Sequence, residues 1–226
     1  MIVNTINSIE TSSKCNLSCQ YCMAKDQHKW RHTGIMSMET FKNALGWVRY
    51  FSDKGTQREL NLFGVGEPLL NPNIVEMVRL AREVVPLKHR VHLNTNGVYL
   101  TEELAYSLQA AGINSIDLTA HDAYHTAKAV RILQKAGITG RISLDFITQP
   151  NDWAGQVNWF KSYVRYSCPW LHIGQAFVLS NGDIVQCCFD AKASNVLGNV
   201  IDRPSEIIVA PFALCKDCHQ DIPREI

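Results

Sequence analysis

The stretch that decides the fold is Cys15-Asn16-Leu17-Ser18-Cys19-Gln20-Tyr21-Cys22, which directly follows a predicted strand at residues 8–12. The chain has eight cysteines and no visible secretory signal, so we interpret clustered cysteines as metal ligands rather than as disulfides. Three thiolates on one loop suffice to hold three irons of a [4Fe–4S] cluster, which leaves the fourth iron open to another ligand. A zinc site completed by His28 or His32 is the alternative.

Outward from this loop, short β-rich runs alternate with amphipathic runs. The pattern predicts strands at residues 8–12, 59–63, 91–94, 113–119 and 141–148, and helices at residues 37–51, 73–85, 101–111, 122–136 and 152–166. Five consecutive β-then-α units favour a parallel sheet with right-handed crossovers. They are too few for a closed eight-stranded barrel of about 250 residues. We therefore expect an α/β fold, an open partial β/α barrel of five or six parallel strands, with an open doubly wound sheet as the alternative.

The composition of the 226 residues limits the partners. The net charge of +1 argues against binding to a long nucleic acid, although a local basic patch stays open. No apolar run reaches the roughly 18 residues that span a bilayer. The first residues also lack a basic region followed by an apolar one. We therefore predict a cytoplasmic protein without membrane contact.

The character of the chain changes after Cys168. The β-like runs at residues 171–179 and 183–189 are joined by Ser180-Asn181-Gly182-Asp183, in which Asn-Gly is a strong signal for a hairpin turn. The remainder is short and loop-rich, and it contains Cys215-Lys216-Asp217-Cys218. We predict two domains, a β/α barrel domain at residues 1–166 and a small hairpin module at residues 167–226.

Two further motifs follow the next predicted strands. Gly64-Val65-Gly66-Glu67-Pro68 follows the second strand, and Asn94-Thr95-Asn96-Gly97 follows the third. Together with the cysteine loop, these motifs resemble those of the radical S-adenosylmethionine (SAM) enzymes, with Val65 departing from the usual pair of glycines. The resemblance implies that Cys15, Cys19 and Cys22 hold a [4Fe–4S] cluster. It also implies that SAM is bound by Tyr21, Gly64, Gly66, Glu67, Pro68, Asn94, Asn96, Thr119 and Gln149.

The C-terminal cysteines resemble those of the auxiliary-cluster modules called SPASM and twitch. Cys168 is followed by thirteen residues, Gly182, four residues and Cys187, and a Cys-x-x-Cys pair completes the set. The resemblance implies a second [4Fe–4S] cluster held by Cys168, Cys187, Cys215 and Cys218, and a four-cysteine zinc site is the alternative. Cys188 is left over. We interpret it as a buried neighbour, as a replacement ligand for Cys187, or as a catalytic hydrogen-atom donor.

Three more residues are candidate substrate contacts. Lys29 and Arg31 belong to a basic stretch after the first cysteine loop, which is either a solvated loop or a lid over an anionic substrate. His121 follows the fourth predicted strand and is expected at the same edge of the sheet as the motifs.

The resemblance implies an enzyme that cleaves SAM reductively and uses the 5′-deoxyadenosyl radical to abstract a hydrogen atom from a substrate carbon. The size and cysteine layout are similar to those of aminocyclitol-oxidising members of the family. We therefore expect oxidation of a small molecule, with the auxiliary cluster accepting an electron and with flavodoxin or ferredoxin as the electron donor. The alternatives are modification of a peptide or protein, modification of a nucleotide or nucleic-acid base, isomerisation or epimerisation, and a metal-binding module without catalysis.

Overall fold

The computed structural model describes residues 1–143, 153–154, 156–157, 166–218 and 220–221. The described strands are β1 (Thr5–Ile9), β2 (Leu60–Asn61), β3 (Val91–Thr95), β4 (Ser115–Thr119), β5 (Ile142–Ser143), β6 (Tyr166–Ser167), β7 (Gln175–Val178), β8 (Asp183–Val185), β9 (Val196–Asn199) and β10 (Gln220–Asp221). Eight of them form one sheet in the order β5-β4-β3-β2-β1-β7-β8-β9, and β6 pairs with β10 separately.

This sheet is parallel from β5 to β7 and antiparallel from β7 to β9. β1 lies in the middle, between β2 and β7, and all of its residues are buried. Within the described part of the chain, β5 and β9 are the two outer strands, so the sheet is open. The expected α/β fold with an open, mostly parallel sheet is therefore confirmed. The cysteine loop after β1 consequently begins at the centre of one sheet edge.

The helices are α1 (Met38–Asp53), α2 (Ile74–Val84), α3 (Glu102–Ala110), α4 (Ala123–Lys135) and the short α5 (Pro169–His172). The side chains of Ser37, Thr101 and Asp122 each accept a hydrogen bond from a backbone N–H in the first turn of α1, α3 and α4. Such caps satisfy donors that the helix itself leaves unpaired. These helices therefore begin within one residue of the predicted positions.

The core lies between the sheet and these helices. Ile6 of β1, Phe41 and Val48 of α1 and Met77 of α2 are completely buried in one continuous cluster. Burying an apolar side chain of this size stabilises a fold by roughly 1.5–3 kcal/mol. The central strand β1 is therefore fixed by this packing and by its neighbours β2 and β7. The cysteine loop consequently starts from a fixed point.

Several predicted strands differ from the observed ones, and β8 ends at Val185, four residues before the predicted strand at residues 183–189 does. β1 lies three residues earlier than predicted, because the chain leaves the sheet after Ile9 and Ser12 pairs with Ile35 instead. The start of the predicted strand at residues 171–179 is wrong, since α5 and a turn at Gly174 (φ +68°) precede β7. The predicted hairpin turn between β7 and β8 is confirmed, and Gly182 adopts a φ of +92° there.

Other predictions fall partly outside the described residues. β5 belongs to the predicted strand at residues 141–148, but the rest of that strand and most of the predicted helix at residues 152–166 lie outside them. β7 pairs in parallel with β1, so the C-terminal hairpin extends the main sheet. The division into domains at residues 1–166 and 167–226 stays a prediction. In the described segments, no helix has the length and apolar character that a membrane crossing requires.

Candidate functional site

A cavity of about 290 Å³ lies at the carboxyl ends of the parallel strands. Its walls come from the loop after β1, the turn after β2, the ends of β3 and β4, and the segment after β8. Loops at this edge of a parallel sheet converge, and ligands bind there in most folds of this class. The described lining consists of Cys15, Leu17, Cys19, Tyr21, Cys22, Phe63, Gly64, Val65, Gly66, Glu67, Asn94, Thr95, Asn96, Thr119, His121, Trp153, Phe177, Cys188 and Phe189.

The three cysteines of the first loop all line this cavity. Backbone N–H groups donate to two of the sulfurs, Leu17 N to Cys15 Sγ at 3.5 Å and Ala24 N to Cys22 Sγ at 3.4 Å. Burial raises the pKa of the Cys15 thiol, and it raises the pKa of the Cys22 thiol to about 11. Burial therefore favours the protonated thiols of Cys15 and Cys22, and a metal must displace their protons to bind.

The donor set fits an iron–sulfur cluster. Three thiols face one cavity, and thiolates are the ligands that such clusters use. Among the described residues, no three Cys, His, Asp or Glu side chains converge closely enough to hold a single metal ion. The three thiols of the first loop therefore fit such a cluster, and zinc stays the alternative at this point.

Packing constrains both glycines of the turn after β2: a Cβ atom at Gly64 would meet the Glu10 side chain, and one at Gly66 would meet backbone. A Cβ atom at Gly66 would lie 2.4 Å from the carbonyl oxygen of Ser12 and 2.6 Å from that of Lys14. The backbone N–H of Glu67 also donates to the Lys14 carbonyl at 2.8 Å. The turn therefore rests directly on the segment that precedes Cys15. The resemblance implies a SAM contact at Gly66, and in the structure Gly66 closely approaches the protein's own backbone.

The Glu67 carboxylate holds the turn to the end of β3. Its Oε1 accepts from Leu69 N at 3.0 Å and from Thr95 Oγ1 at 2.6 Å, and its Oε2 accepts from Asn96 N at 2.9 Å. Burial raises the pKa of this carboxyl, while these three donors favour its charged form. Glu67 therefore organises two cavity walls. Its neighbour Pro68 is buried at the start of a 3₁₀ turn, Pro68–Leu70, behind the wall.

Polar side chains at the ends of β3 and β4 complete this wall. Thr119 Oγ1 donates to Asn94 Oδ1 at 3.0 Å, and both residues line the cavity. Asn96 Nδ2 donates to Asn16 Oδ1 at 2.9 Å, which connects the β3 end to the cysteine loop. The sequence placed Asn94, Asn96 and Thr119 at this edge, and the structure brings them together there.

Tyr21 and His121 form the next part of the wall. The Tyr21 hydroxyl lies 2.9 Å from His121 Nδ1, and the two rings are stacked with an interplanar angle of 8°. The same nitrogen is 3.6 Å from Cys19 Sγ. Burial lowers the pKa of His121 and raises the pKa of Tyr21. The imidazole therefore stands beside the first cysteine loop, within the cavity that the sequence analysis expected it to reach.

The two basic candidates for substrate contacts, Lys29 and Arg31, lie outside the described cavity lining. The Arg31 side chain is 4% exposed and forms a two-pronged ion pair with Glu10, with Nη1–Oε2 and Nη2–Oε1 distances of 2.8 Å. Lys29 is exposed and pairs with Asp26 at 2.7 Å. Neither residue is part of the described cavity lining. Gln149 lies outside the described residues.

The C-terminal cysteine group reaches the same cavity through Cys188. Burial, with smaller contributions from the nearby Cys218 and Cys168, raises the pKa of the Cys188 thiol to about 12. Burial also raises the pKa of Cys187 well above its ordinary value and raises that of Cys215, to which Cys168 adds. The thiols of this group are therefore close enough to influence one another.

Several cavity residues were missed by the sequence analysis. Phe63, Phe177 and Phe189 supply apolar wall, and Trp153 packs edge-on against Phe189 with its ring centroid at 6.0 Å. The Trp153 indole N–H donates to the Tyr21 carbonyl at 3.1 Å. Phe63 was detectable, because it ends a predicted strand next to the glycine-rich turn. The others come from segments that carry no local signal of their position.

Comparisons with known proteins add to this geometry. A family model described as the Radical SAM superfamily matches residues 9–136, more than half of the chain. Molybdenum cofactor biosynthesis protein 1 of Bos taurus is 32% identical over 129 residues, which cover 57% of this chain and 19% of that protein. The S-adenosyl-L-methionine-dependent 2-deoxy-scyllo-inosamine dehydrogenase of Niallia circulans is 30% identical over 113 residues, 50% of this chain and 43% of that protein. The match therefore spans less than half the length of either relative.

A solved structure is similar over more of the chain. The crystal structure of BtrN in complex with AdoMet and 2-DOIA has a TM-score of 0.70 and 24% identity, and the match covers 88% of this chain and 79% of BtrN. At this identity the likeness concerns the fold alone.

Proposed function

This chain belongs to the radical SAM superfamily, and on that premise we propose that it oxidises a small molecule by hydrogen-atom abstraction and transfers an electron to a second iron–sulfur cluster. One observation carries the proposal. The cysteines of the first loop and Cys188 of the C-terminal group line a single cavity. A substrate that has lost a hydrogen atom is a radical, and it becomes an oxidised product only when an electron and a proton also leave. A cysteine group beside the same cavity supports the electron step.

In this proposal Cys15, Cys19 and Cys22 hold the first [4Fe–4S] cluster. When bound, the reduced cluster and SAM supply a 5′-deoxyadenosyl radical that removes a hydrogen atom from an unactivated carbon. The side chains of Tyr21, Asn94 and Thr119 face the cavity with hydrogen-bonding groups that suit the polar parts of SAM. The remaining SAM contacts are proposed for Gly64, Gly66, Glu67, Asn96 and Gln149. Pro68 is proposed to act indirectly, by fixing the position of Glu67.

The apolar part of the wall excludes water from the reacting atoms. Phe63, Val65, Trp153, Phe177 and Phe189 line the cavity together. A dry site prevents a carbon radical from reacting with solvent-borne species, and it strengthens every polar contact that remains. This chain therefore supplies binding, orientation and exclusion of water.

The second cluster is proposed to be held by Cys168, Cys187, Cys215 and Cys218. Cys168 and Cys187 are buried, whereas Cys215 and Cys218 are half-buried. Flavodoxin or ferredoxin is the proposed electron donor to the first cluster. The similar relatives carry different names, so the identity of the substrate rests on experiment.

The first experiment counts iron and follows SAM. Anaerobically reconstituted protein is expected to bind about eight irons per chain and, once reduced, to release 5′-deoxyadenosine from SAM. The variant with Cys15, Cys19 and Cys22 all replaced by alanine is the control, which should keep about four irons and release no 5′-deoxyadenosine. Stoichiometric zinc without iron in the wild type would contradict the proposal.

Epimerisation is the second candidate, and the placement of Cys188 favours it among the alternatives. Its thiol lines the cavity and burial keeps it protonated, so it has a hydrogen atom to return to a substrate radical. Reaction in deuterium oxide separates the two outcomes for each candidate small molecule. A product that has lost two hydrogens indicates oxidation, and a product that has gained one deuterium indicates epimerisation. Loss of the deuterium in Cys188→Ala would identify this thiol as the donor.

A further inference from the structure

We propose that Glu10 and Arg31 form a positioning pair that holds the C-terminal hairpin against the first cysteine loop and thereby sets the separation of the two cysteine groups. The inference rests on the proposed function, in which an electron passes between those groups. Neither side chain lines the described part of the cavity, so the pair acts by placing other residues.

The geometry of the pair is that of a rigid link. Both guanidinium Nη atoms of Arg31 lie 2.8 Å from the two carboxylate oxygens of Glu10. The exposed fraction of the side chain is 0% for Glu10 and 4% for Arg31. A bidentate contact fixes direction as well as distance, and burial keeps water from replacing either partner.

Each member also binds backbone from a distant segment. Glu10 Oε1 accepts from Val65 N at 3.0 Å, and Glu10 Oε2 accepts from Ser180 N at 3.1 Å. Arg31 Nε donates to the carbonyl oxygen of Ala191 at 2.8 Å. The pair therefore joins the end of β1, the glycine-rich turn, and both sides of the Cys187–Cys188 segment.

A third set of contacts connects the pair to the cysteine loop. Arg31 Nη2 donates to Gln27 Oε1 at 2.7 Å, and Gln27 Nε2 in turn donates to the carbonyl of Ser13. Ser13 Oγ accepts from Ser180 Oγ at 3.0 Å. Ser13, which leads into the first cysteine loop, is thus bonded directly to the hairpin turn. The segment that follows the loop is linked to that turn through Ser13 and Glu10.

These contacts restrict how the two cysteine groups move. The hairpin cannot shift relative to the first loop unless at least one hydrogen bond to a buried charge is broken. Breaking one such bond leaves a buried charge with one hydrogen bond fewer and a backbone amide without its acceptor, which is costly in a buried site. Electron transfer and magnetic interaction both fall steeply with separation. A single fixed separation therefore serves the electron step of the proposed oxidation.

Hydrogen exchange tests the link without reference to activity. In reconstituted Arg31→Met, amide exchange in the peptides that contain Val65 and Ser180 is expected to rise roughly tenfold or more, because both amides donate to Glu10. Arg31→Lys keeps the charge but loses the bidentate contact with Glu10, so a smaller rise in amide exchange is expected. The matched control is Arg90→Met, which removes an exposed arginine paired with Glu59 at 2.8 Å and should leave both peptides unchanged.

A spectroscopic measurement tests the functional part. With both clusters reduced, the magnetic interaction between them is expected to broaden or weaken in Arg31→Met and to recover in part in Arg31→Lys. The double variant Glu10→Gln with Arg31→Met removes both buried charges. This double variant should remain folded. Its magnetic interaction between the clusters should be altered as in Arg31→Met, because the bidentate contact is absent.

The outcomes separate this inference from the proposed function. Unchanged exchange at Val65 and Ser180 in Arg31→Met, or an unchanged magnetic interaction in the double variant, would overturn the positioning role. If Arg31→Met does not fold, amide exchange and the magnetic interaction are compared between the wild type, Arg31→Lys and the double variant instead. A wild-type protein with only about four irons would instead refute the second cluster, while the exchange experiment would still decide whether the pair links the segments.

Discussion

Replacement of Gly66 by alanine is expected to damage the first cysteine loop as well as the proposed SAM contacts. A Cβ atom at this position would lie 2.4 Å from the Ser12 carbonyl oxygen, although real Cβ contacts stay above 3.0 Å. The two backbones must therefore separate by about 0.6 Å or more. The opposing atoms belong to backbone, which cannot rotate away as the end of a flexible side chain does.

The magnitude follows from overpacking. Forcing an extra methyl group into a packed site costs typically about 1–3 kcal/mol. The strain falls on residues 12–14, which lead directly into Cys15, and on the Glu67 N–H bond to Lys14 at 2.8 Å. We therefore expect both lower stability and incomplete iron binding by the first loop, and not a loss of SAM affinity alone.

Gly46→Ala is the matched control, because it makes the same chemical change in α1. A Cβ atom at Gly46 would meet nothing within 4 Å. Alanine is favoured over glycine within a helix by up to about 1 kcal/mol, so this variant should be more stable than the wild type.

Urea denaturation of the metal-free proteins and iron analysis of the reconstituted ones measure the two effects. The denaturation midpoint should fall for Gly66→Ala and rise for Gly46→Ala. A Gly66→Ala protein with wild-type stability and full iron content would refute the packing argument. It would return Gly66 to the role of a ligand contact.

Three further outcomes are expected. Glu67→Gln should lower the free energy of unfolding by about 1–3 kcal/mol in the same urea assay, because both carboxylate oxygens accept hydrogen bonds and the new amide NH₂ must face a donor. Cys215→Ala combined with Cys218→Ala should lose about half the iron and retain 5′-deoxyadenosine release, while product falls much further; full product yield would make the second cluster purely structural. Burial lowers the pKa of His92 below 6.5, so the unfolded chain binds the proton first and stability should fall as pH drops below about 6.5. The slope from this group is at most about 1.4 kcal/mol per pH unit, and His92→Gln should remove it from the pH profile of unfolding.

Most elements of the fold were predictable because their signals are local. Ser37, Thr101 and Asp122 stand immediately before amphipathic runs, and each caps a helix there. The parallel pairing of β7 with β1 was not predictable, since it joins segments that are far apart in the chain. The sequence of each segment indicates a strand but does not indicate its partner. The same long-range pairing explains why the C-terminal hairpin extends the main sheet.

The cavity was predictable to the extent that it follows the strand ends. Asn94, Thr119 and His121 were placed by the rule that parallel strands end at one edge, and they lie together there. The roles of Gly66 and Glu67 were not predictable in detail. Their residue types indicate a special turn, but the partners of that turn, Lys14 and Thr95, belong to other segments of the chain.

Arg31 shows where local reasoning stops. It belongs to a basic stretch that the sequence analysis interprets as a solvated loop or a lid. The structure instead pairs its buried side chain with Glu10. Glu10 follows the fully buried strand β1, where an ionised carboxylate requires a cation or several donors to be stable. The chain contains 22 Lys and Arg residues, and their order in the sequence does not identify the one that fulfils this requirement. The structure selects Arg31 because its guanidinium spans the Glu10 carboxylate while also reaching Gln27 and Ala191. A lysine has one charged nitrogen and could not make these contacts together, so the choice of arginine follows from the number of segments that meet at this point.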